Sequence, residues 1–272
     1  VEFLQSLSSH SFLQYALAAG LLASISCGVM GTYVVVKRIS FIAGGIAHAV
    51  LGGMGVAYFF QQSPILGAII AAVMSALIIG WVNLRQHENT DTIIAALWAI
   101  GMAIGIIFIS KTPGYNSDLM SYLFGNILLV SQQQLWLMAI LNVVVVMTVF
   151  LSYKQFLAVC FDEEYARLRG VNVEFYYLLL LVSVAITVVL LIQVVGLILV
   201  IALLTLPAAI AVQYQNSLLR IMFLAIAFGA IFTSAGLALS YQPDIPAGAT
   251  IVLLAGCIYL VSTFTRSFVV KN

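Results

Sequence analysis

Apolar runs of about twenty residues recur from one end of this chain to the other, and about twenty residues is the length at which an α-helix crosses the hydrocarbon core of a bilayer. No water is available there to pair with exposed N–H and C=O groups, so each run has to close its hydrogen bonds on itself as a helix. The pattern predicts nine spans, at residues 12–36, 42–60, 64–82, 92–110, 135–153, 174–192, 195–212, 218–239 and 248–265. Composition agrees: only 7% of the 272 residues are charged, against roughly 25% in a soluble domain, and the mean hydropathy is +1.17. The expected fold class is therefore all-α, a polytopic membrane protein of about nine transmembrane helices in a single transmembrane domain over residues 1–272, with membrane lipid as its solvent. A further apolar piece, residues 119–130, is short for a crossing and is expected as a half-helix or re-entrant segment.

The basic residues orient this layout. If the first span runs from outside to inside, alternation puts Lys37, Arg38, Arg85, Lys154, Arg167, Arg169, Arg220, Arg266 and Lys271 on one side, and Lys111 alone of the ten lies opposite. That bias follows the positive-inside rule and predicts a cytoplasmic C-terminus. A full crossing by residues 119–130 would move every basic residue from Lys154 onward to the other side and erase the bias. The net charge of +1, with no basic patch, argues against nucleic acid as a partner. Cys27, Cys160 and Cys257 are widely spaced and form no CxxC pair, so neither a disulfide framework nor a zinc knuckle is indicated. The N-terminus carries no basic region ahead of its apolar run, which is also long for a signal-peptide core, so it is taken as the first span.

Of ten basic and nine acidic residues, five fall within residues 161–170. Asp162, Glu163 and Glu164 come first, Arg167 and Arg169 follow, and Gly170 closes the run. A short helix complements its own dipole in this way and then stops, with Gly170 free to take a left-handed conformation. Phe161, Tyr165 and Leu168 lie at i, i+4 and i+7 and share one face of such a helix. A two-faced helix between membrane spans is suited to docking on something outside the bilayer; the plainer alternative is a solvated helix in a loop.

His48 is the one titratable side chain well inside a crossing, with Gly44 and Gly52 four residues to either side and Gly45, Gly53 and Gly55 adding bare backbone. An ionisable residue at that depth is costly and points to function, and a neutral imidazole is a good ligand for divalent metals. The alternative is tight helix packing beside a hydrogen-bonded histidine. A stable zinc site needs three or four ligands, so one histidine suits a transient stop on a pathway, with two copies meeting on a dimer axis doubling the ligands. Asp91 opens the fourth span from the cytoplasmic side, and Asp118 and Asp244 lie on the external side.

His87, Glu88 and Asp91 superficially follow the HExxH zinc-protease pattern, but aspartate replaces the second histidine and the run lies in a loop. No GxxxxGK[ST] sequence is present, so the chain has no phosphate-binding loop of that type. Small residues form ladders at helical spacing, Ala16, Gly20, Ser24 and Gly28 in the first span and Ala95, Ala99 and Ala103 in the fourth, and these predict close helix packing. Gln193 and Gly196 mark the joint of spans six and seven. Pro207 is expected to kink the seventh, with Thr205 able to satisfy a freed backbone group.

Several ordered blocks give the chain a resemblance to the permease subunits of bacterial ABC transporters for zinc, manganese and iron. Residues 31–41, through Lys37 and Arg38, resemble that family's first block, and residues 47–53 around His48 its histidine block. Asp91 and Thr92 with Gly101 and Gly105 resemble the fourth-span block, and residues 121–126 the Leu-Phe-Gly segment. Residues 195–199 followed by Leu206, Pro207, Ala208 and Ala209 resemble the seventh-span block, and residues 244–248 the last external turn. One position departs: family members commonly carry aspartate four residues before the histidine, where this chain has Gly44.

The resemblance implies a homodimer in the bacterial cytoplasmic (inner) membrane that imports a divalent metal ion, zinc first and manganese or iron next. It implies a transporter subunit rather than an enzyme. ATP hydrolysis then falls to a cytosolic ATP-binding subunit, and an extracytoplasmic metal-binding protein delivers the ion, with no permanently bound cofactor. Residues of about 157–170 become the coupling helix. In that role Glu164, Ala166 and Gly170 match the family's docking loop, Ala166 permits close approach, and Phe161, Tyr165 and Leu168 fill the partner's groove. His48 is the expected metal contact, with Asp91 and Asp244 on the pathway. The rival readings are a permease for a metal chelate of siderophore or cobalamin type, an ATP-independent metal channel or carrier, and a purely structural membrane subunit. The chelate permease would need a wider, aromatic-lined cavity. Carriers usually place carboxylates mid-membrane, and none lies well inside a span here.

Overall fold

The computed structural model describes residues 7, 9–85, 90–112, 127–241 and 245–271. All regular structure among them is helical. The long helices are α1 (Ser11–Val36), α2 (Ser40–Phe59), α3 (Pro64–Arg85), α4 (Thr90–Ser110), α5 (Gln132–Leu151), α8 (Val173–Val195), α9 (Leu197–Tyr214), α10 (Leu218–Tyr241) and α11 (Ala247–Lys271). Two short helices, α6 (Tyr153–Phe161) and α7 (Glu163–Leu168), lie between α5 and α8. Eight helices among the described residues are long and apolar enough to cross a membrane, and α9 adds the shorter apolar stretch Val200–Tyr214. The protein is an all-α polytopic membrane protein. Of the segment 119–130 expected to re-enter, residues 119–126 lie outside the described residues, and the rest holds a 3-10 turn at Ile127–Leu129.

Local chemistry sets the helix starts. Ser131 and Gln134 form a reciprocal capping box ahead of α5: the Gln134 N–H donates to Ser131 Oγ at 3.3 Å and the Ser131 N–H to Gln134 Oε1 at 2.9 Å. Asn172 caps α8, its Oδ1 accepting from the Phe175 N–H at 3.1 Å. Pro64 sits at the first position of α3, where its missing N–H costs nothing.

The chain groups into two compact units. One comprises Val1–Val36, Met120–Val143 and Leu190–Asn272. Here α1 is the central element, packed on α10 and α9, and α9, α10 and α11 pack on one another. The ladder Ala16, Gly20, Ser24 and Gly28 is buried throughout and meets α10: Ser24 Oγ lies 3.3 Å from Thr233 Oγ1, and the bare backbone of Gly28 rests on Ile226. Gly31 lies against the Leu204 carbonyl of α9. Pro207 is inside α9, which leaves the Leu203 carbonyl without its usual N–H donor. Thr205 does not supply one: its hydroxyl donates to the Ile201 carbonyl at 2.7 Å, one turn back on its own helix. Gly196, between α8 and α9, takes φ 77° and ψ 168°, a region open essentially to glycine alone.

The second unit comprises Lys37–Leu119 and Val144–Val189. Its centre is α2, which packs on α3 and most closely on α4. Glycines set that approach. A Cβ built at Gly52 would lie 2.7 Å from the Gly101 carbonyl oxygen, and one at Gly55 2.7 Å from that of Gly105. Gly45 meets Ile94, and Gly53 and Gly67 face each other across α2 and α3. The second expected ladder behaves differently: Ala95, Ala99 and Ala103 are exposed, and α4 packs instead through Ile94, Gly101 and Gly105. Periodicity shows which residues share a stripe but not which stripe is buried, and in lipid a row of alanines is as comfortable outside as inside.

Candidate functional site

Both clusters singled out in the sequence, the charged stretch and His48, fall within the second unit. The charged stretch is two helices rather than one. Asp162, at φ −153° and ψ 96°, is extended backbone between α6 and α7. Its Oδ1 accepts from the Tyr165 N–H at 2.9 Å, the geometry of an N-cap. The local preference of aspartate for capping outweighs the continuous apolar spacing across it. At the other end Gly170 has φ +76°. The Gly170 N–H donates to the Arg167 carbonyl at 3.0 Å and the Val171 N–H to the Ala166 carbonyl at 3.0 Å, which is the Schellman arrangement. A helix of six residues thus has both ends satisfied. Replacing Asp162 with alanine is expected to cost ~1 kcal/mol locally, read as amide exchange across residues 163–168 about fivefold faster.

Phe161, Tyr165 and Leu168 are 67%, 49% and 87% exposed. Their shared face was inferred from an unbroken helix, and the break at Asp162 removes that inference; all three nonetheless remain uncovered. Arg169 steadies Tyr165, with Nε donating to Oη at 2.8 Å and the guanidinium 5.2 Å from the ring centre. Ala166 is fully buried, so the close approach its small side chain permits is to its own chain. Glu164 is exposed and, with Glu163, Arg167, Asn83, Leu84 and Tyr177, lines a polar cleft of about 320 Å³. There the Asn83 amide donates to Tyr177 Oη at 2.6 Å.

His48 is half-buried on α2 and lies flat against Trp98 of α4, ring centroids 4.1 Å apart and planes within 7°. The Trp98 indole N–H donates to Met102 Sδ at 2.9 Å. His48 Nδ1 is buried with no hydrogen-bond partner among the described residues. An unpaired buried ring nitrogen carries a desolvation cost, and its lone pair is free to accept a donor or to ligate a cation. Gly44, one turn below, is buried and offers no carboxylate.

The structure does not gather the three expected metal residues. Helices α2 and α4 run parallel, with Gly45 beside Ile94 and Gly52 beside Gly101. Asp91, exposed in the first turn of α4, is level with residues near 42, about 10 Å along the axis from His48. Asp244 lies outside the described residues. Among the described residues no group of three or more His, Cys, Asp or Glu side chains converges. An apolar cleft of about 590 Å³ opens among α2, α3 and α4 on residues including Gly52, Gly53, Met74 and Ile100, and no carboxylate, histidine or cysteine lines it.

Sequence reading passed over Trp98 and gave Lys37 no role. No sequence spacing marks Trp98, which comes level with His48 only once α2 and α4 lie side by side, Gly52 beside Gly101 and Gly55 beside Gly105. No periodicity marks Lys37, whose partner Glu163 lies far along the chain: Nζ is 2.6 Å from Glu163 Oε1.

These features can be set against known proteins. A probable metal transport system membrane protein of Chlamydia pneumoniae is 45% identical over 250 residues, covering 90% of this chain and 85% of its own length. The manganese transport system membrane protein MntC of Halalkalibacterium halodurans is 35% identical over 262 residues, covering 96% of this chain and 90% of its own. The solved structure of PsaBC from Streptococcus pneumoniae in complex with Fab superposes with a TM-score of 0.90 at 33% identity, covering 100% of this chain and 99% of that one. The ABC 3 transport family matches residues 9–266, and the chain belongs to that family.

Proposed function

We propose that this protein is the permease subunit of an ATP-driven importer of divalent metal ions. The observation that carries the reading is the α6–α7 pair, a short doubly capped helix that leaves Phe161, Tyr165 and Leu168 uncovered in a chain without a phosphate-binding loop of the GxxxxGK[ST] type. Exposed aromatic and aliphatic anchors of this kind suit the groove of a cytosolic ATP-binding subunit. The expected setting is the cytoplasmic membrane with a cytoplasmic C-terminus, an extracytoplasmic binding protein delivering the ion, and two copies of the chain meeting so that two His48 rings face one pathway. Asp91 and Asp244 are proposed as residues the ion passes at either end. Relatives named for manganese put manganese ahead of zinc, the metal favoured on sequence alone.

The test is uptake of manganese(II) and zinc(II) into vesicles containing the permease with its ATP-binding subunit and binding protein. ATP-dependent accumulation is expected, and its absence with a bound, hydrolysing ATPase would overturn the reading. His48→Ala is expected to lower uptake by at least about tenfold, the scale on which groups around a metal affect its handling. Wild-type uptake by that variant would make His48 a packing residue.

A further inference from the structure

We infer that Lys37 is the positioning residue that ties the docking helices to the helix carrying His48, so that movement of α7 is passed to α2. The inference rests on the permease reading and adds a part to it. Lys37 directly follows α1 and stands three residues before the start of α2. Its ammonium makes two bonds, donating to the Val159 carbonyl at 2.7 Å and to Glu163 Oε1 at 2.6 Å. Val159 is in the last turn of α6, where carbonyls lack intrahelical donors, and Glu163 is the first residue of α7. One cation therefore meets the negative end of one helix and the acidic start of the next.

The position matters because of the break at Asp162. A single extended residue joins α6 to α7, so a pull on α7 alone would be lost by bending there. Lys37 bridges that break on both sides and anchors it to the corner leading into α2, with Arg38 at φ 60° making the turn. The side chain of Lys37 is only 17% exposed while that of Glu163 is 38% exposed, so the ammonium is withdrawn from water and the carboxylate meets it from the polar cleft. Cys160, between the two contacts, is inert in this arrangement: burial pushes its thiol up to about 12, with Glu163 adding to that and Lys37 opposing it. Its reactivity reports on whether the bridge is closed.

The experiment compares wild type, Lys37→Met, Glu163→Gln and Lys37→Arg, each full-length and reconstituted with the ATP-binding subunit and binding protein. Alkylation of Cys160 is read by peptide mass spectrometry, alongside ATPase association, ATP hydrolysis and manganese(II) uptake. Lys37→Met is expected to speed Cys160 alkylation about tenfold, the scale for losing a half-buried charge-assisted contact. Loss of the cation alone would slow it, because Lys37 holds the thiol pKa down, so only opening of the bridge gives the faster rate. Association should be retained, while metal moved per ATP falls by a similar factor. Glu163→Gln should show the same split in milder form, and Lys37→Arg should restore it. If uptake and hydrolysis fall in parallel, or if metal moved per ATP is unchanged, the bridge does not transmit movement. A wild-type chain that recruits no ATPase would instead overturn the permease reading and this role with it.

Discussion

Replacing Gly52 with valine is expected to prevent α2 and α4 from packing, and with that to remove the folded protein from detergent extracts. Even a Cβ at position 52 would sit 2.7 Å from the Gly101 carbonyl oxygen and 3.2 Å from the Gly101 Cα. Those neighbours are backbone, so no flexible side chain can swing aside. Gly101 returns the constraint, since a Cβ there would lie 2.6 Å from the Ala49 Cα. Overpacking typically costs 1–3 kcal/mol per site, and a branched side chain against two backbones belongs at or above the top of about that range. The contact is also the one that holds Trp98 against His48, because the stacked rings sit one turn from it on the same two helices. The melting temperature in detergent and the yield of monodisperse protein measure the effect. Gly256→Val is the control, as a Cβ there meets nothing within 4 Å. Equal stability for the two variants would show that α2 and α4 can separate freely.

The same seam shows how far the sequence reached. Span boundaries were legible because a bilayer imposes a length on every crossing: the run 218–239 became α10 at Leu218–Tyr241, and 64–82 became α3 at Pro64–Arg85. The end of α7 was legible too, since Gly170 is a strong local stop signal and takes the expected left-handed conformation. Which face of a helix is buried was not. Hydrophobicity separates inside from outside only when the solvent is water, and in lipid the exposed row Ala95, Ala99, Ala103 and the buried row on α1 read alike. For the same reason Trp98 was invisible as a partner of His48 until the two helices were in register. The Asp162 break was missed because the apolar spacing of Phe161, Tyr165 and Leu168 is indifferent to a change of helix between them. Lys37 was missed because an ion pair between residues far apart in the chain leaves no periodic trace.

Phe161→Asp combined with Leu168→Asp is expected to abolish binding of the ATP-binding subunit while leaving the permease folded. Both side chains are mostly exposed, 67% and 87%, and substitutions at such positions usually change stability by no more than about 0.5 kcal/mol. A large apolar anchor lost from the centre of an interface costs about 2 kcal/mol or more, and two such losses with a carboxylate driven into each pocket weaken binding by at least about a hundredfold. The mechanism can be separated from a charge-driven one. If the apolar anchors carry the affinity, raising ionic strength should leave association of the wild type nearly unchanged, because screening acts on exposed charges. If Glu164, Arg167 and Arg169 carried it, salt would release the ATPase and the double aspartate variant would bind almost normally at low salt. Tyr165 sharpens the distinction, since Arg169 already fixes its ring from both the hydroxyl and the face. A tyrosine held in place before docking loses little entropy on binding, so Arg169→Ala should weaken association through a freed Tyr165, and should do so equally at low and high salt. Retained association in the Phe161→Asp, Leu168→Asp variant, with uptake intact, would mean that the motor engages some other surface of the permease.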